Sequence, residues 1–193
     1  MKKIYILIAF CVLALIQIFI PAQMVLSQET VLEKGKPYKF ITRPIDPNDP
    51  FRGKYITLRY EISSFKTLDT TWQRGDDVYV YIKDSLGFAK LDTISKQKIV
   101  RDTDYVIGKA KWLNRKNNWN KNPTRLNFNL PFNRFYMNEN KAKPAEDAVR
   151  FRRNDSTIKS VYGLVHIKDG TSVLKDVIIN SISIKDYVEQ NKP

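Results

Sequence analysis

Cysteine, histidine and glycine are scarce in this chain, and each shortage excludes a class of site. The one cysteine, Cys11, lies in an apolar run, so the remaining chain can form neither a disulfide nor a cysteine-bearing zinc or redox site. The one histidine, His166, cannot supply the usual zinc ligand sets alone. The seven glycines fall in no phosphate-binding pattern. We therefore expect no metal and no cofactor.

Acidic residues are also few compared with basic ones. The chain has 33 Lys and Arg against 20 Asp and Glu, a formal net charge of +13. Because Lys2 and Lys3 are the only charged residues among the first 28, the basic excess belongs to the rest of the chain. This charge favours anionic partners, although a solvated lysine-rich surface would have the same composition.

The N-terminus carries the longest uncharged apolar run. It covers residues 4–26, about 23 residues, and a bilayer core needs about 20. Because Lys2 and Lys3 precede this run, we expect a single-pass anchor over residues 1–28 in the cytoplasmic (inner) membrane. The N-terminus would then lie inside and the domain on the extracytoplasmic or periplasmic side.

A cleaved signal peptide is the alternative for this run. Ala22 could precede the cleavage site, but Ile20 fits poorly two positions earlier. The run also exceeds the about 7–15 residues of a signal core.

Residues 29–185 have the pattern of one mainly β domain, and residues 186–193 that of a polar tail. In residues 55–62, Ile56, Leu58, Tyr60 and Ile62 share one face of a predicted half-buried strand. Further short strands are predicted over residues 78–82, 87–94 and 105–112. Their spacing predicts an antiparallel sandwich or open barrel.

The C-terminal part of this domain carries a turn signal and a helix signal. Asp169-Gly170 separates two alternating runs, which predicts a hairpin because both residues tolerate positive φ. At most one short helix is expected, over residues 141–149, where Pro144 suits a first turn.

Two segments resemble a known family. Residues 52–61, RGKYITLRYE, resemble the signature of the GDYXXLXY family of bacterial membrane-anchored proteins, although Lys54 stands where the signature has an aspartate. Residues 133–139 are similar to the family's aromatic segment ending in glutamate. The resemblance implies a membrane-protein partner, since members tend to be encoded near polytopic membrane proteins. The motif residues are Arg52, Gly53, Tyr55, Leu58, Tyr60 and Glu139.

The first motif also has a physical interpretation. Gly53 follows a turn rich in proline, and we expect Leu58 and Tyr60 to point into the core. Tyr55 would lie on the opposite face, where it either lines a surface groove or packs under a neighbouring loop.

Residues 105–138 contain seven basic residues and no acidic one, interleaved with Trp112 and Trp119. The segment could be a positive loop that meets anionic lipid head groups or an acidic partner, or a solvated loop whose tryptophans pack inward. Nucleic acid is not expected outside the cytoplasm. The candidate contacts with an anionic surface are Lys109, Lys111, Arg115, Lys116 and Lys121.

The sequence thus favours a membrane-anchored, non-enzymatic accessory or interaction module that acts with an integral membrane protein or an envelope component. The alternative is a membrane-bound hydrolase with a carboxylate or Ser-Lys site. Glu139 and Asp49 are its candidate carboxylates, because both fall in family-like segments.

Overall fold

The structure is a computed structural model that describes residues 2–43, 55–114, 124–138, 141, 144–145, 158 and 160–190. It begins with helix α1 (Lys2–Lys34) and ends with helix α2 (Ile184–Gln190). Between them lie β1 (Lys36–Arg43), β2 (Tyr55–Thr57), β3 (Arg59–Tyr60), β4 (Ser64–Thr67), β5 (Asp77–Ser85), β6 (Phe88–Ser95), β7 (Tyr105–Asn114), β8 (Thr124–Asn129), β9 (Arg134–Tyr136), β10 (Val161–Lys168), β11 (Thr171–Ile179) and β12 (Ile182–Ser183).

The strands form two five-stranded sheets and one ribbon. The sheets have the orders β12-β11-β10-β1-β3 and β4-β8-β7-β5-β6, and the ribbon is β2-β9. Neighbouring strands within each sheet pair antiparallel, and β1 also contacts β6, so the sheets approach a closed barrel. This confirms the predicted mainly β, antiparallel fold that follows a long N-terminal helix.

Helix α1 has the length and composition to cross a membrane. Its 33 residues span about 50 Å at about 1.5 Å per residue. Among its described side chains only Val31 is buried, and Ala14 and Leu32 are partly exposed. The helix therefore touches the β domain by its last turns and is otherwise uncovered.

The junction between α1 and β1 has no linker. Gly35 donates its N–H to the Val31 carbonyl at 2.9 Å, and the next residue, Lys36, already pairs with Ile167 of β10. A Cβ atom at Gly35 would lie 2.3 Å from the Val31 carbonyl oxygen and 3.1 Å from that of Ile167. Only glycine fits this close approach, which fixes the helix to the sheet.

His166 belongs to the same junction. It is 9% exposed and lies on the outer face of β10, next to Leu32 of α1. Burial lowers the pKa of His166, and the nearby Lys175 ammonium group lowers it further. The histidine is therefore neutral near pH 7 and contributes to the packing under α1.

The structure differs from the sequence expectations in three places. Residues 55–62 keep the predicted alternation, with Ile56 and Ile62 buried, but form two short strands rather than one, because β2 pairs with β9 and β3 with β1. The alternation in residues 78–82 predicts Tyr81 on the face opposite Val80 and Ile82, yet Tyr81 is fully buried. Its hydroxyl group donates to the Ile99 carbonyl at 3.1 Å and accepts from the Ile99 N–H at 2.6 Å, so the polar end of the side chain is satisfied inside the protein. The domain also continues past residue 185, since Val188 of α2 packs into the core.

The predicted short helix falls mainly outside the described residues. Within 141–149, Lys141, Pro144 and Ala145 are described and are helical.

The predicted hairpin at Asp169-Gly170 is present between β10 and β11. Both turn residues have positive φ, 50° and 84°, and Lys168 pairs with Thr171. This geometry suits a two-residue turn whose twist matches that of the strands. The turn also packs on Tyr105, whose hydroxyl group donates to the Asp169 carbonyl at 3.3 Å.

A second hairpin turn, Leu86-Gly87, provides a matched comparison. Gly87 has φ 79° with no atom within 4 Å of the position that a Cβ would take, whereas at Gly170 a Cβ would lie 2.5 Å from the Tyr105 ring. We expect Gly87→Ala to lower the free energy of unfolding by about 1–2 kcal/mol through backbone strain. We expect Gly170→Ala to lower the free energy of unfolding by about 1–3 kcal/mol more than Gly87→Ala does, because the Tyr105 ring must move. Denaturant unfolding of the full-length protein in detergent measures both, and equal losses would contradict the packing on Tyr105.

Candidate functional site

The two family-like segments, far apart in sequence, pair with each other. In the β2-β9 ribbon, Tyr55 lies opposite Tyr136 and Thr57 opposite Arg134. The Leu58 N–H continues the contact by donating to the Asn133 carbonyl at 2.8 Å. The motifs therefore form one local structure.

Leu58 and Tyr60 point into the core, as predicted. Each is 3% exposed, and the Tyr60 hydroxyl group donates to the Phe132 carbonyl at 2.9 Å. Burial raises the pKa of Tyr60, so the phenol stays protonated. Gly163 is required beside it, since a Cβ there would lie 2.9 Å from the Tyr60 hydroxyl oxygen.

Tyr55 is half-buried on the opposite face. Its ring lies 5.3 Å from that of Tyr136, and the Arg134 guanidinium group lies 5.0 Å from its centroid. Both neighbours belong to β9, so Tyr55 packs on the second motif.

Arg59 lies between the two buried motif residues and therefore faces outward. It is directly opposite Arg43 in the pairing of β3 with β1. Like charges in directly opposite positions destabilise a ladder. Both arginines are exposed, so the two like charges lie beside each other at the surface of the sheet.

This arginine pair opens onto a cleft of about 240 Å³, which we call the basic cleft. None of the described residues that line it is acidic. Among the residues that the structure describes, its four cationic side chains form no ion pair. The lining residues are Arg43, Arg59, Lys111 and Arg125, with Trp112, Asn127, Asn129, Ser63, Ser64 and Phe128.

A β-bulge brings Lys111 into the basic cleft. In the pairing of β7 with β8, Ala110 faces Phe128 and Trp112 faces Asn127, so Lys111 is the extra residue. Bulges redirect side chains in this way and are frequent beside functional sites. A smaller cavity of about 110 Å³, lined by Leu58, Tyr60 and Asn133, shares Arg59 and Lys111 with the cleft.

Trp112 gives the basic cleft an apolar surface. Its side chain is 57% exposed, and the Lys111 Nζ atom lies 5.5 Å from its ring centroid. The backbone carbonyl of Trp112 accepts a hydrogen bond from the Asn127 Nδ2 atom at 3.5 Å. The cleft thus combines cations, amides, hydroxyl groups and one aromatic face.

Lys111 is the one predicted surface-contact residue that is both described and part of the cleft lining. Lys109 forms an ion pair with Asp77 at 2.7 Å and does not line the cleft. Seven further residues from the sequence predictions lie outside the described residues, namely Asp49, Arg52, Gly53, Arg115, Lys116, Lys121 and Glu139.

Sequence reasoning missed Arg43, Arg59 and Arg125 as site residues. They come from β1, β3 and β8, and strand pairing alone brings them together. Of the three, only Arg59 could have been identified from the sequence, because it lies inside the motif between two residues that are predicted to point into the core.

Metal-ligand clusters and a Ser-Lys contact were sought in the described part of the chain. It contains no group of three or more His, Cys, Asp or Glu side chains that could hold a metal ion. Ser63 and Ser64 line the cleft with Lys111, but within the described ranges no hydrogen bond joins a serine hydroxyl group to the lysine.

The architecture defines a mainly β protein with one candidate transmembrane helix and a basic cleft beside the paired motifs. The family model described as GDYXXLXY protein matches residues 17–177, most of the chain. The chain belongs to the GDYXXLXY family. No curated protein and no solved structure matches it. Family membership and the apolar helix together fit a membrane-associated protein.

The electrostatic strain in the basic cleft can be tested directly. We expect Arg59→Gln to raise the free energy of unfolding by about 0.2–1 kcal/mol at low ionic strength, because it removes the repulsion with Arg43. Salt should reduce this gain through screening. Arg74→Gln is the control, since Arg74 is exposed in a turn outside the cleft. Denaturant unfolding in detergent gives both values, and a loss of stability for Arg59→Gln alone would contradict the repulsion.

Proposed function

We propose that this chain is a membrane-anchored, non-enzymatic interaction module that acts with an integral membrane protein or an envelope component through its basic cleft. The observation that carries the proposal is the facing pair Arg43 and Arg59, which Lys111 and Arg125 join in a cleft with no acidic residue among its described lining. A bound anionic group would relieve the repulsion between these cations. The cleft is therefore the surface through which the module recognises its partner.

The proposed location is the cytoplasmic membrane, with the N-terminus inside and the β domain on the extracytoplasmic side. Lys2 and Lys3 before the apolar run support this orientation. The direct junction at Gly35 supports a domain held at a fixed position beside the membrane. In this orientation nucleic acid is not an available partner.

Two of the partners that this proposal allows follow from the sequence. A polytopic membrane protein is implied by the family resemblance and would contact the cleft through acidic side chains. Anionic lipid head groups could meet Lys111 and the neighbouring basic residues of the sequence, Arg115, Lys116 and Lys121, each near-surface cation contributing about 1 kcal/mol.

The carboxylate form of the hydrolase alternative depends on residues other than the cleft cations. Its candidate carboxylates, Glu139 and Asp49, lie outside the described residues. Its Ser-Lys form would need a serine hydroxyl group within hydrogen-bonding reach of a lysine. The interaction module needs only the charges that line the cleft, and we favour it for that reason.

In-cell crosslinking tests the proposal. The full-length protein is crosslinked in its native cells, extracted in detergent and purified, and the captured proteins and glycans are identified by mass spectrometry. We expect one specific envelope partner that is lost for Arg59→Glu, since charge reversal next to Arg43 repels an anionic group. Arg74→Glu, an equal charge change on a turn outside the cleft, should capture the partner as the unchanged protein does.

Equal capture by the two variants would contradict a role for the basic cleft. Turnover of an envelope ester or glycosidic bond by the purified protein, lost for Glu139→Gln, would favour the hydrolase instead.

A further inference from the structure

Resting on this proposed function, we propose that the ligand of the basic cleft is an acidic saccharide, a sugar ring that carries a carboxylate or phosphate group. The cations account for the acidic group, since Arg43 and Arg59 face one another at one side of the cleft. Guanidinium groups bind carboxylates and phosphates through paired hydrogen bonds. Three further features specify the rest of the ligand.

The first feature is the exposed ring of Trp112. A lining tryptophan that is 57% exposed offers a flat apolar surface, which matches the C–H face of a sugar ring. Lys111 beside this ring provides a cation at the edge of the same surface. A simple inorganic anion would make no use of the indole.

The second feature is the set of neutral polar side chains. Asn127 and Asn129 lie next to each other on the outer face of β8, and Ser64 of β4 pairs directly with Asn127. Amide and hydroxyl groups both donate and accept hydrogen bonds, as sugar hydroxyl groups do. A site that bound only an anion would need hydrogen-bond donors and would have no use for acceptors.

The third feature is size. At about 240 Å³ the cleft is below the about 300–1,000 Å³ of sites that enclose drug-sized ligands. It suits one sugar unit of a longer chain whose other units remain in solvent.

The position of the cleft favours this ligand over a lipid head group. Helix α1 meets β1 at Gly35, and Arg43 lies at the other end of β1, about 26 Å from Gly35 at about 3.3 Å per residue. Because only the last turns of α1 touch the domain, the helix leaves at the far end of that strand. An envelope polymer reaches such a cleft more readily than the head groups of the anchoring bilayer.

Calorimetric titration of the full-length protein in phosphatidylcholine nanodiscs tests the assignment. The probes are oligogalacturonate, a neutral malto-oligosaccharide of equal length, and inorganic phosphate. We expect binding of oligogalacturonate alone, weakened about tenfold or more in Arg59→Gln and in Trp112→Ala, because each removes a direct contact. Arg74→Gln should bind as the unchanged protein does.

Other outcomes separate this inference from the proposed function. Binding of phosphate as strong as that of oligogalacturonate, unchanged in Trp112→Ala, would overturn the saccharide and leave a simple anion site. Binding to phosphatidylglycerol vesicles that depends on Arg59, without binding of oligogalacturonate, would identify a lipid ligand instead. If no probe binds but crosslinking still depends on Arg59, the saccharide is rejected and the interaction module is retained. If no probe binds and crosslinking does not depend on Arg59, both the saccharide and the interaction module are rejected.

Discussion

The burial of Tyr60 is the constraint on which the rest of the structure depends. Its ring packs edge-on against Phe40 and Phe132, with centroids 5.8 and 5.1 Å away, and its hydroxyl group donates to the Phe132 carbonyl. Gly163 leaves the space for that hydroxyl group. One side chain thus connects β3, β10 and the chain before β9. Because Leu58 and Tyr60 both point inward, the residue between them, Arg59, must point outward and face Arg43.

This arrangement explains how one motif serves both the fold and the site. The core residues of the motif hold the ribbon, while the outward arginine and the bulge at Lys111 collect cations on a polar sheet face. Unpaired like charges lower stability, and proteins tolerate such losses where binding requires them. The junction at Gly35 joins this domain to α1 without a linker. A cleft at the far end of β1 is therefore presented at a fixed distance from the helix.

Local sequence patterns predicted local structure well, but they could not show which distant strands pair with each other. The alternation in residues 55–62 identified the core-facing side chains, and Asp169-Gly170 identified a hairpin, because both depend on neighbours in sequence. The break at Leu58 was missed because it follows from two different partners, β9 and β1. The basic cleft was missed for the same reason, since Arg43, Lys111 and Arg125 meet only through strand pairing. The roles of Arg115, Lys116 and Lys121 stay predictions.

A double-mutant cycle tests whether the motif holds Arg43 and Arg59 in an unfavourable pair that an anionic ligand relieves. Unfolding of the full-length protein in detergent is measured for Arg43→Gln, Arg59→Gln and both together, with and without galacturonate at constant ionic strength. We expect an unfavourable coupling of about 0.2–1 kcal/mol without the anion, which disappears when the anion is bound. A coupling of zero, or a favourable one, in the absence of the anion would contradict it.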